Sequence, residues 1–140
     1  MELHIFREAK TRTPGKKIQA LFELVVEREG RTEHPGDVNL VFTTDQKIRV
    51  LNRKYRRKDK PTDVLSFTLD ETAREGETYG EIYISAPTAR RQAEQNGLNI
   101  VDEYLRLFCH GLLHLFGYDH KKASEAAHMS ERENAYLAGI

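Results

Sequence analysis

The sequence predicts an α+β fold: a small mixed β-sheet of about four strands packed with about five helices, in one domain spanning residues 1–140. Three observations predict it. Short runs alternate apolar and polar residues as strands do, and longer runs repeat their apolar residues at the helical period. Two consecutive strand-like runs, "DVLSF" and "GEIYIS", are joined by the long, charged, loop-like "DETAREGETY". The pattern leaves the strand order open.

Leu3 and Ile5 alternate with polar neighbours in a first strand, and "TPGKK" turns the chain. Ile18, Leu21, Phe22, Val25 and Val26 then share one helical face, with Gly30 where a C-terminal cap belongs. A second strand follows at Val38, Leu40 and Phe42. Thr43 or Thr44 caps a helix carrying Ile48, Leu51 and Tyr55, which must break before Pro61. After the two strands named above, Ser85 caps a helix with Pro87 in its first turn, ending near Asn96 and Gly97. Asn99 caps the next helix, and a last one runs from about Ser124 to Leu137.

The 22 basic and 22 acidic side chains cancel, so attraction to nucleic acid or membrane has to come from a local patch. Cys109 is the only cysteine, which excludes an intrachain disulfide and cysteine-rich zinc sites and fits a reducing compartment. It shares a helical face with Leu105, Leu112 and Phe116 and reads as core. The amino terminus has no signal-peptide core, and no uncharged apolar run approaches about 18 residues. A cytoplasmic protein without a membrane segment is expected.

The chemistry is concentrated in "FCHGLLHLFGYDH". Residues four apart on a helix lie one above the other, with Cβ atoms about 6 Å apart, so His110 and His114 can reach one ion. The helix must then reverse to supply a third ligand, and Gly117, free to take positive φ, sits where a cap would turn the chain and bring His120 back. Neutral imidazoles suit zinc first, with nickel and copper acceptable to the same ligands. Three protein ligands leave a fourth position open, as in catalytic zinc sites. The spacing is that of the metzincin proteases, whose base glutamate is replaced here by Gly111. That glycine omits the base, and it leaves room for a bulky ligand or a neighbouring backbone. Asp119 either orients a histidine, serves as a base, or bonds local backbone N–H groups. His4, His34 and His128 have no spacing partner and read as structural or exposed.

"KIRVLNRKYRRKDKPTD" holds Lys47, Arg49, Arg53, Lys54, Arg56, Arg57, Lys58 and Lys60, the one concentration of charge suited to phosphate in a chain of zero net charge. It reads equally as a solvated helix face. Tyr55 within it can stack on a base, although its spacing from Ile48 and Leu51 suits the edge of the core.

Here the chain resembles a known family, the bacterial rRNA maturation factors also called endoribonuclease YbeY. "HGLLHLFGYDH" matches that family's His-Gly-x-Leu-His-Leu-x-Gly-Tyr-Asp-His at every specified position, "YRRKDKPTDVLSF" is similar to its second characteristic stretch, and "HMSERE" resembles the Met and Glu of its last helix. The resemblance implies one zinc ion on His110, His114 and His120. It also implies an endoribonuclease acting on single-stranded RNA in 16S rRNA 3′-end maturation and ribosome quality control, with ribosomal particles as partners. Arg56 matches the family's cleft arginine, which implies a role at the RNA phosphate; Arg56 and His114 are thus expected to carry catalysis. Thr68 stands where members often carry proline, and Arg57 where glycine is common. A metzincin-like zinc protease recruiting Asp119 or Glu103, and a non-catalytic ribosome-assembly factor with a structural zinc, are the alternatives.

Overall fold

The computed structural model describes residues 1–140 as a four-stranded sheet and five helices. In chain order these are β1 (Leu3–Arg7), α1 (Gly15–Arg28), β2 (Asp37–Thr43), α2 (Asp45–Arg56), β3 (Val64–Thr68), β4 (Thr78–Ser85), α3 (Ala86–Gln95), α4 (Ile100–Leu115) and α5 (Ala123–Ala138). The sheet order is β1-β2-β4-β3, with β1, β2 and β4 parallel and β3 antiparallel on the edge beside β4. The mixed α+β architecture expected from the sequence is therefore present.

Alternation divides the sheet into two faces. Ile5, Leu40 and Ile82 stand in register on one, and Phe6, Val41, Tyr83 and Leu65 on the other. The first face joins α1, α4 and α5 in a cluster of 25 buried apolar residues, and none of the three clustered histidines belongs to it. Long, apolar α4 packs on β3 and β4 and is flanked by α1, α3 and α5. Its buried residues include Leu105, Leu112 and Cys109, whose thiol burial pushes up to about 12. Basic α2 lies over the second face, where Tyr55 meets Phe67 with ring centroids 5.0 Å apart.

Thr44, Ser85 and Asn99 are the N-caps of α2, α3 and α4, each accepting a hydrogen bond from the amide three residues on. One strand boundary differs from expectation. β4 starts at Thr78 rather than Gly80, because Thr78 still pairs with Asp37 of β2 and Tyr79 is the extra residue at the register shift between Asp37 and Val38. Tyr79 is consequently buried, donating its hydroxyl to Leu115 O at 3.2 Å.

α2 ends well before Pro61, at a left-handed residue that is not a glycine. Arg57 has φ 57°, the only positive φ outside glycine. Its amide reaches Arg53 O at 3.1 Å and that of Lys58 reaches Asn52 O at 3.2 Å, closing the helix. The departure from glycine at this position is thus a matter of backbone strain. Arg57→Gly should raise the unfolding free energy by roughly 0.5–1 kcal/mol, the left-handed penalty less the entropy that glycine adds to the unfolded chain. Chemical denaturation checks this, and an unchanged or lower midpoint would show that the Arg57 side chain offsets the strain.

Candidate metal centre

α4 carries His110 and His114 on one face, and the chain then reverses. The amide of Gly117 bonds His114 O at 3.1 Å and that of Tyr118 bonds Leu113 O at 3.0 Å, with Gly117 at φ 98°. This is the Schellman closure, and its left-handed residue is cheap only as glycine. The reversal brings the His120 ring within 4.9 Å of His114 and 5.7 Å of His110, centroid to centroid. One nitrogen from each of the three histidines falls within 4.8 Å of the others, close enough to form a three-histidine site.

The outer ring nitrogens decide whether a cation fits. His114 Nδ1 lies 2.9 Å from Tyr118 O, and His110 Nδ1 lies 3.1 Å from Glu133 Oε1. A carbonyl and a carboxylate only accept, so each Nδ1 carries the hydrogen and each Nε2 of a neutral ring holds a lone pair. Those two Nε2 atoms face each other at 3.1 Å. Two lone pairs at that separation repel, and a cation between them removes the repulsion. Burial first, and then nearby His110, hold His114 below the ordinary histidine value, which favours its neutral, ligating form.

Glu133, on α5, is marked in the sequence only by the "HMSERE" resemblance, and nothing local ties it to His110. The turn is held from further away still. Tyr118, whose carbonyl orients His114, donates its hydroxyl to Glu29 Oε2 at 3.2 Å, and Tyr136 of α5 donates to the same oxygen. His128 stacks on Tyr118 with centroids 5.5 Å apart and planes at 18°. His4 pairs with Asp37 at 3.0 Å, and His34 bonds Glu71 O and the Gly36 amide. These three histidines have structural partners, in keeping with their lack of spacing partners.

The histidines open into a cleft of about 630 Å³, whose walls include Arg56, Asp63, Ser66 and Asp119. Arg56 is exposed and belongs to none of the six ion pairs; the acid nearest in sequence, Asp59, is taken by Arg49 and Arg53. Asp119 accepts the His120 amide at 2.7 Å, a bond that holds its carboxyl below the usual range. Of its three readings the local backbone bond is the one observed. Glu103 is fully buried and tied to Arg106 at 2.5 Å, so it does not reach the cleft.

Gly111 makes room for the sheet. A Cβ there would lie 2.8 Å from Ile82 Cγ2 and 2.9 Å from Ser66 Oγ, and Ser66 donates to Gly111 O at 3.0 Å. The space is filled by side chains of β3 and β4, which corrects the expectation of a bulky ligand or neighbouring backbone. Gly111→Ala should therefore cost about 1–3 kcal/mol by overpacking, despite alanine's better helix propensity. Gly111→Glu should cost more, since its side chain starts against the sheet. Thermal melts check both, and a stabilised Gly111→Ala would refute the close contact.

A family model described as Endoribonuclease YbeY matches residues 4–140. A Moorella thermoacetica protein named Endoribonuclease YbeY is 45% identical over 114 residues, which cover 75% of this chain and 73% of the relative. One of the same name from Aquifex aeolicus is 41% identical over 132 residues, 94% of this chain and 87% of the relative. A solution structure of a Thermotoga maritima protein superposes with TM-score 0.64 at 31% identity, covering 96% of this chain and 86% of that one.

Proposed function

The chain belongs to the endoribonuclease YbeY family, hydrolases of RNA phosphodiester bonds, and from that premise we propose that its three-histidine cleft is a zinc-dependent active site for single-stranded RNA. The observation that carries this reading is the pair of Nε2 lone pairs facing each other at 3.1 Å beside an unpaired arginine in one cleft. The reading extends to 16S rRNA 3′-end maturation and ribosome quality control in the cytoplasm, with ribosomal particles as partners. No helix is long and apolar enough to cross a membrane.

His110, His114 and His120 would hold the ion. When bound, zinc supplies a Lewis acid that polarises a phosphoryl oxygen and can bring the pKa of a water down to about 7. Glu133 and the Tyr118 carbonyl fix the ring tautomers, so that the ligands need no rearrangement. Arg56 receives the phosphate, and its paired donors neutralise charge that grows on the equatorial oxygens. The glutamate of a protease is not needed at position 111, where the helix meets the sheet.

Cleavage of a defined precursor rRNA by highly purified, untagged protein tests the reading, with zinc, after chelation and after zinc is restored. Cutting that follows zinc supports it. Cutting that persists in chelator, or zinc-dependent hydrolysis of casein without RNA cleavage, refutes it. Glu133→Gln should weaken zinc binding by about 10- to 100-fold through loss of the charged acceptor on His110, measured by competition with a chromophoric chelator. An unchanged affinity would make the Glu133 contact merely structural.

A further inference from the structure

Across β3 from the histidine cleft lies a second groove of about 410 Å³ that the nuclease reading does not use. Ser66 and Thr68 belong to the walls of both. Alternation along this edge strand explains the division: Ser66 reaches α4, whereas Phe67 turns to the opposite face and meets Tyr55. The last turn of α2 makes the same division with adjacent residues, since Arg56 lines the cleft and Tyr55 lines the groove. We infer that this groove is a stacking subsite for an unpaired base of the same RNA strand whose phosphate lies at Arg56. The inference rests on the nuclease reading and adds the path the strand follows out of the cleft.

Three features favour a nucleotide. Tyr55 is 57% exposed although its ring packs on Phe67, and Leu69 in the same groove is 54% exposed. Tyr55, Phe67 and Tyr83 form a connected set, with Phe67 and Tyr83 centroids 6.1 Å apart, so Tyr55 is a propped ring with an available surface. The groove's own lining holds no cation, and the favourable charge comes from α2 and the segment that follows it. Between Lys47 and Lys60 there are eight cations, all exposed, and one acid, Asp59; Lys54 Nζ lies over the Tyr55 ring, 5.2 Å from its centre, on a flexible stem that an incoming base displaces. An apolar peptide has no use for that surround, whereas a polyanion with flat bases uses both parts. The groove's one acid, Glu81, accepts from the Tyr83 hydroxyl at 3.2 Å. It repels phosphate and can accept from base amino groups. The backbone is thereby directed to the Lys54 side and the base toward Glu81.

Equilibrium binding of a fluorescein-labelled, unstructured 2′-O-methyl oligoribonucleotide to the zinc-loaded protein tests this. Tyr55→Ala should weaken binding by about 5- to 150-fold, the range for stacking of one base, and Tyr55→Phe should stay within about twofold of wild type. Tyr55→Leu, which restores an apolar contact with Phe67 but no flat ring, should weaken binding as alanine does. None of the three should change the slope of log affinity against log salt, because stacking releases no counterion; Lys54→Gln should lower that slope by about one. Affinity within about twofold of wild type in Tyr55→Ala and Tyr55→Leu overturns the subsite, as a groove for protein would require, and leaves the nuclease reading standing. Wild-type protein that neither binds nor cuts single-stranded RNA overturns both.

Discussion

His114→Ala abolishes zinc-dependent cleavage, with a loss of at least about 1,000-fold, because a Lewis acid of this kind contributes several kcal/mol to the transition state. Its zinc content falls from about one per chain toward zero, as elemental analysis reads it. His114 is a cleaner ligand to remove than His110. Its outer nitrogen releases only the Tyr118 carbonyl, whereas His110→Ala strands the Glu133 carboxylate in a largely buried place. The fold should survive, since the 25-residue core contains none of the three histidines. That result separates a catalytic zinc from a structural one, whose loss would unfold the chain. Acid should have the same effect reversibly. Ligating imidazoles must be neutral, and burial holds His114 below its ordinary value of about 6.5, so zinc should be retained at about pH 7.5 and released by about pH 5. Retained zinc in His114→Ala, or unfolding on chelation, would overturn this account of the site.

Features that depend on a few neighbours along the chain are legible in the amino-acid sequence alone. The caps Thr44, Ser85 and Asn99 act within their own first turns, and Gly117 acts on the helix it ends. The approach of His110 and His114 follows from helix geometry. Features set by distant partners are not legible in this way. Strand order depends on pairing across the whole sheet, and the partner of His110 is 23 residues away on another helix. The role of Gly111 is hidden for the same reason: the space beside it belongs to Ile82 and Ser66, which reach it only once α4 lies on the sheet. Arg57 adds a local limit. Its left-handed backbone lies where arginine has no propensity to announce it, and only the family's glycine at that position hints at the turn.

Arg56→Ala slows RNA cleavage by about 100-fold or more while zinc content and melting temperature stay at wild-type levels. The separation follows from its place. The side chain is exposed on the last turn of α2, makes no ion pair, and lines the cleft without belonging to the histidine cluster. Its removal thus strips charge from the cleft and leaves no buried partner behind. Arg56→Lys should recover only part of the rate, since an ammonium keeps the charge but loses the planar pair of donors that matches two phosphoryl oxygens. The loss should fall on kcat as well as on kcat/KM, because the contact strengthens as charge develops on those oxygens. A loss confined to KM would instead make Arg56 an ordinary phosphate anchor. Cleavage unchanged in Arg56→Ala would move the role to Arg57, to Arg53 or to no arginine, and ion pairing ranks the first two. Arg53 already lies 4.0 Å from Asp59, whereas Arg57 has no ion pair. Arg57→Ala would then be the variant that slows cleavage, and Arg53→Ala would act mainly on the salt dependence of binding.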